Sequence, residues 1–134
     1  MKKRVICLMA LCLFILSNTA FATNWVFVTK GTANDSSFYI DGDTAVKRGN
    51  FITFWELEVL DREEDFGFNT DVKKIMTKLE ARWTSPRKYR DFEYYLFDAS
   101  NNELWSDDYE GEESAVKPGS IIDLEIDVAL RYAK

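Results

Sequence analysis

Beyond residue 23 the chain reads as short apolar runs divided by polar, glycine-bearing breaks. Residues 24–30 (NWVFVTK) are dense in β-branched and aromatic side chains, which predicts a strand. Residues 31–35 (GTAND) break it, and Ser37–Asp41 (SFYID) predicts a second short strand. Asp41-Gly42-Asp43 punctuates the chain, and residues 44–47 predict a third. Gly49-Asn50 then turns into residues 51–60 (FITFWELEVL), apolar on both faces at first and alternating later, the pattern of a central strand. Residues 73–83 alternate cleanly. Ile75, Thr77, Leu79, Ala81 and Trp83 face one way, and Lys74, Met76, Lys78, Glu80 and Arg82 the other. One face packs and one is wet, as an antiparallel sheet allows. After a turn at Thr84-Ser85-Pro86-Arg87, residues 88–98 return with Phe92, Tyr94 and Leu96 on a shared face. Asn101-Asn102 supplies a hairpin turn, because Asn tolerates positive φ, and residues 103–106 predict a short strand. Residues 61–71 and 107–113 are acidic loops.

The tail fits two periods. Ile122, Leu124, Ile126, Val128, Leu130 and Tyr132 alternate as a strand would. The same stretch accepts a helix, with Ser120 as N-cap and Asp123 in the first turn, where the dipole favours it. Asp123, Asp127 and Arg131 would then share a polar face, and Glu125 would be the flaw. The pattern as a whole predicts one antiparallel sheet with one terminal element packed on it.

The first residues read differently. Lys2, Lys3 and Arg4 precede an unbroken apolar run of twelve residues, 5–16, and Ala20-Phe21-Ala22 follows as an A-x-A cleavage signal. A basic start, a short apolar stretch and small residues at the cut predict a secretory signal peptide over residues 1–22. The run is too short to span a bilayer, which needs about 20 apolar residues. The expected mature domain is 23–134, exported to the periplasm, cell surface or medium. Cys7 and Cys12, the two cysteines, leave with the signal, so the domain meets an oxidising compartment without a disulfide. Eighteen aromatic residues remain beyond Ala22 (four Trp, six Tyr and eight Phe) and supply apolar surface for a core. Removing three of 17 basic residues leaves 14 against 23 acidic ones, a net charge of −9. That balance disfavours nucleic acid and anionic lipid and suits a basic partner or simple solubility. The absence of histidine removes Ser-His-Asp triads, Cys-His dyads and the usual zinc or copper sites.

Four groups of residues then stand out in order: Trp25-Val26, Tyr39-Ile40-Asp41, Lys47-Arg48-Gly49 and Trp55-Glu56-Leu57. With Pro118-Gly119-Ser120 before the tail, they resemble the surface-adhesin protein E family. The likeness runs through the whole mature chain but is specific over about a third of it; residues 62–113 match only in rhythm. It implies an α+β fold, mainly β, with about six antiparallel strands and a C-terminal helix packed on the sheet. It also implies an exported bacterial protein that binds host matrix or serum proteins, such as vitronectin and laminin, without catalysis. The family's usual disulfide, from a middle strand to the end of the helix, has no counterpart here: Val128 or Ala129 stands near the helix position. Packing by Ile121, Leu124 and Val128 is expected to offset its loss, worth about 2–4 kcal/mol.

The candidate partner-binding residues are Arg82, Arg87, Lys88, Tyr89 and Arg90 around the Pro86 turn, with Trp83 interleaved. Arginine and aromatic side chains at a hairpin tip are what interfaces favour, and the family's matrix-binding stretch is a basic middle region. The alternative is an ordinary solvated hairpin. Residues 61–71 carry Asp61, Glu63 and Asp65 at alternate positions but place Phe66 and Val72 where a calcium loop needs Gly and Glu, so they read as a solvated loop. Phe66 and Phe68 are expected against the sheet, and Trp25 and Trp55 in the core rather than as a ligand platform. No carboxylate pair is set apart for acid–base work, and there is no phosphate-cradling glycine loop or nucleophile motif. No metal or other cofactor is expected. The alternative function is a periplasmic inhibitor or accessory protein that docks a basic enzyme such as lysozyme.

Overall fold

A computed structural model of the chain describes residues 24–32, 35–67 and 71–134. The expected export signal over residues 1–22, and Phe68, lie outside these residues. The strands are β1 (Trp25–Lys30), β2 (Ser37–Asp41), β3 (Val46–Arg48), β4 (Phe51–Glu64), β5 (Val72–Arg82), β6 (Lys88–Phe97), β7 (Glu103–Asp108) and β8 (Ser114–Ala115), and the helix α1 is Ile121–Tyr132. The fold is α+β and mainly β. Six strands form the antiparallel path β1-β2-β4-β5-β6-β7. Two short strands lie off this path: β3, expected from residues 44–47, pairs with β4, and β8, which the pattern does not mark, pairs with β6. β4 also runs further than its apolar pattern, because Asp61 to Glu64 continue the ladder as exposed residues, with Glu64 opposite Val72.

The two-residue period of the strands sorts the side chains onto two faces. Ile40 on β2, Ile52 and Phe54 on β4, and Leu79 and Ala81 on β5 point the same way and are buried with Ile126 and Ala129 of α1. The helix ends the ambiguity of the tail. Ile122, Ile126, Ala129 and Ala133 fall at i, i+4, i+7 and i+11 and pack on the sheet. The strand-like alternation is broken by Leu124, which is exposed, so the packing expected of it comes from Ile126 and Ala129, with Val128 partly buried beside them. The start of α1 is held as its sequence implies. The Asp123 N–H donates to Ser120 Oγ at 3.4 Å, and the Gly119 N–H donates to Asp123 Oδ2 at 2.9 Å. Gly119 has φ +77°, which glycine adopts without a Cβ penalty. At the other end Lys134 exchanges backbone hydrogen bonds with Lys47 and Ala45, fastening the tail to the β2–β3 connection. Further along the same face Leu60, Val72 and Leu96 form a second buried cluster, beside Ile75, Tyr94 and Leu104.

Candidate functional site

The face of the sheet away from α1 carries the odd-numbered residues of β4, among them Trp55 and Leu57, opposite Lys78 and Met76 of β5. Met76 in turn faces Tyr95 of β6, and Trp25 and Asp41 lie across β1 and β2. Together they line a groove of about 710 Å³ with Lys74, Phe97, Asn101, Glu103 and Thr44. The sequence placed Trp25 and Trp55 in the core; the structure puts both on this open face, because their parity is opposite to that of Ile52 and Phe54. No described helix or loop packs over the groove as α1 does over the other side. Its aromatic floor is fixed: the Trp55 and Tyr95 rings are 5.9 Å apart and the Tyr95 and Phe97 rings 6.4 Å, with Phe27 edge-on to Tyr39 at 5.6 Å nearby. Polar groups fix the rim. Lys74 Nζ donates to Asn101 Oδ1 at 2.6 Å, and Lys78 stands 5.9 Å over the Trp55 ring and 3.8 Å from Glu93. Asp41 closes one end. Its buried carboxylate accepts from the Asn24 and Asp43 N–H groups and from the Thr44 hydroxyl at 3.0–3.2 Å, which explains the Asp41-Gly42-Asp43 turn.

The basic residues singled out in the sequence are divided between the faces and bound within the chain. By register, Arg82, Lys88 and Arg90 share the open face with Met76 and Lys78, while Tyr89 lies opposite Ala81 and packs into the helix-side core. Arg90 pairs with Glu110 at 2.6 Å and Glu113 at 3.3 Å, and Lys88 pairs with Glu113 at 3.3 Å. Arg82 Nε donates to Thr84 Oγ1 at 3.2 Å. Arg87 reaches α1 instead, with its guanidinium 2.8 Å from Asp123 and 2.9 Å from Asp127, and ties the β5–β6 turn to the helix. The acidic residues 110–113, read as a loop, neutralise this cluster. Phe66 is 48% exposed, not laid against the sheet.

A second site lies under the helix, where the pattern gave only the remark that Glu125 was misplaced. Glu56 on β4 occupies the inward parity of Ile52 and Phe54 and meets Glu125 of α1. Glu125 is 1% exposed, and its Oε2 has no hydrogen-bond partner. Burial, then the charge of Glu56, hold the Glu125 carboxyl well above the ordinary glutamate range, so it is the proton donor of the pair. Burial likewise pushes Glu56 up to about 7, against the hydrogen bond from Glu125, which favours its charged form. Asp91 joins them because of a bulge. Phe92 is skipped in the β5–β6 register, so Tyr89 and Asp91, rather than Phe92, share the inward face with Tyr94 and Leu96. Burial raises Asp91 as well. The signal that would have found this site is Glu56 inside an apolar strand together with Glu125 inside an apolar helix stripe.

Among the described residues, no group of three or more His, Cys, Asp or Glu is placed to hold a metal ion, and no helix is long and apolar enough to cross a membrane. No family model, characterised protein or solved structure matches this chain.

Proposed function

We propose that this chain is an exported, non-catalytic recognition protein of the protein E type, which binds a protein partner across its open aromatic face. The observation that carries the reading is the contrast between the two faces. One is sealed by α1, while the other leaves Trp25, Trp55, Leu57, Met76, Tyr95 and Phe97 along an open groove. Aromatic and methionine side chains are those that protein interfaces concentrate, and a preordered aromatic floor keeps the ordering cost of binding low. The occupant that fits is an extended aliphatic segment flanked by basic residues, drawn by the net charge of −9 left once Lys2, Lys3 and Arg4 are gone. Host matrix and serum proteins are the targets the family resemblance points to.

The test is solid-phase binding of the purified protein to vitronectin and laminin, with Leu57→Glu and Met76→Glu on the groove and Arg90→Glu on the basic cluster. Loss of binding in the groove variants with Arg90→Glu unchanged supports the groove. The converse moves the site to the basic cluster, and no wild-type binding counts against matrix recognition. A second reading, an accessory protein docking a basic enzyme, is favoured by the exposed acidic stretch Asp107, Asp108, Glu110 and Glu112 around a half-exposed Tyr109. It predicts inhibition of lysozyme that weakens as salt is added.

A further inference from the structure

The cleft between α1 and the sheet has no part in that reading. It is a shallow cleft of about 370 Å³, more open to solvent than the groove on the other face, and within the roughly 300–1,000 Å³ of ligand pockets. Glu56, Asp91 and Glu125 converge on it from β4, β6 and α1, and Phe38, Leu79 and Ile122 supply apolar walls. Two glutamates facing each other at core positions are costly. A hydrophobic pair of similar size would remove an unsatisfied buried acceptor, Glu125 Oε2, and a like-charge contact. Among the described residues, the six ion pairs give none of these three carboxyls a cationic partner. Arg87, the guanidinium that reaches α1, is taken by Asp123 and Asp127. Glu58, on the same face of β4 as Glu56, adds further negative charge. The carboxyls do not form a metal-ligating group. What the cleft lacks is therefore several N–H donors on a positive head, carried by a stem that the apolar walls accept.

We propose that this cleft binds the ammonium or guanidinium head of an alkyl cation, gripped by Glu125 and Glu56 with Asp91 as a third carboxylate. Entry of the cation gives Glu125 Oε2 its missing partner. It also replaces the proton shared by the pair, which leaves to solvent, so binding and proton release are coupled. The cation has two sources, a free alkylamine or a lysine or arginine side chain of a protein, and the chemistry of the head is common to both.

The experiment is isothermal titration of the purified full chain at pH 7 with agmatine and, separately, with N-acetyl-arginine N-methylamide. It is run in two buffers of different ionisation enthalpy and followed by carbon NMR of the glutamate carboxyls. We expect saturable binding, net proton release, and shifts confined to the Glu56, Glu125 and Asp91 carboxyls. n-Pentanol, a neutral molecule with a comparable stem, should not compete. Glu125→Gln should weaken binding by at least roughly tenfold, as loss of one desolvated charge partner does. Should that variant fail to fold, Asp91→Asn carries the same expectation in direction. Response to agmatine alone assigns the site to free amines, and response to the blocked arginine alone assigns it to a side chain presented by a protein. Absence of saturation by both at concentrations on the order of 10 mM, equal binding of pentanol, or binding unchanged in both variants overturns the proposal.

Discussion

The buried carboxyl pair predicts an inverted pH dependence of stability. Glu56 has its carboxyl pushed from 4.5 to about 7, and Glu125 and Asp91 move the same way. A carboxyl that binds its proton more tightly when folded makes the native state the more protonated one between the two values. Its stabilising contribution is complete below the unfolded value and is lost as pH rises through the folded one. The displacement of Glu56 from 4.5 to about 7 is worth about 3 kcal/mol between the two protonation states. Glu56 and Glu125 share a hydrogen-bonded proton, so their contributions belong to the pair and are not summed. Groups of opposite sign do not mask the effect. Asp123, held low by the Gly119 N–H and by Arg87, has gained its stabilisation by about pH 5, as have Asp98 and Glu113. With no histidine in the chain, no imidazole titrates above that point.

Urea unfolding followed by tryptophan fluorescence should therefore show stability falling by roughly 2–3 kcal/mol between pH 5 and pH 8, where most proteins are level. In the double variant Glu56→Gln/Glu125→Gln, which keeps the shapes and removes the titration, the slope should largely vanish. The double variant should then gain on the wild type at pH 8. A wild-type profile that is flat or rises from pH 5 to 8 would show that these carboxyls are solvated and refute the reasoning. An unchanged slope in the double variant would place its origin elsewhere.

Other consequences follow from packing and caps. Ile126→Ala, which empties a fully buried position between α1 and the sheet, should cost about 2–5 kcal/mol in urea denaturation, while Leu124→Ala on the exposed side of the same helix should stay within about 0.5 kcal/mol. Arg87→Ala, which removes both ties from the β5–β6 turn to α1, should cost about 2 kcal/mol and lower the melting temperature read by circular dichroism. Arg90→Ala, whose pairs lie in solvent, should lower it less. Ser120→Ala, which leaves the Asp123 N–H without its side-chain acceptor, should cost about 1 kcal/mol by the same measurement.

Most of the strands were legible because they obey the period of two. Residues 51–60 and 73–83 announce their order and their inward residues, and β4 and β5 pair over most of their length. The errors have local causes. A continuous apolar run does not say which parity faces the helix, so Trp25 and Trp55 read as core when they are groove. The β6 bulge at Phe92 reverses the alternation in mid-strand, and nothing in KYRDFEYYLF marks it. β8 is too short for a period to emerge. The charges around Pro86 suggest an exposed basic tip, because the acids that neutralise them come from residues 110–127, far along the chain and brought back only by the fold.

The same asymmetry separates what maintains the fold from what the fold offers to partners. On the covered side, Phe54, Ile52 and Ile126 are buried to the limit, so any side chain there that is not apolar needs a reason other than stability. Glu56 and Glu125 are such side chains, placed on two different elements and meeting only after α1 docks. On the open side the preference is reversed. A sheet face in water favours alternation with polar residues, yet Trp55, Leu57 and Met76 persist where Lys74, Lys78 and Glu93 show that charge is tolerated. Apolar residues left half-exposed and acids drawn largely out of water both run against the stability of the isolated chain. The partners proposed for the two sites are of the opposite character and would relieve each: an apolar segment for the groove, a cation for the cleft.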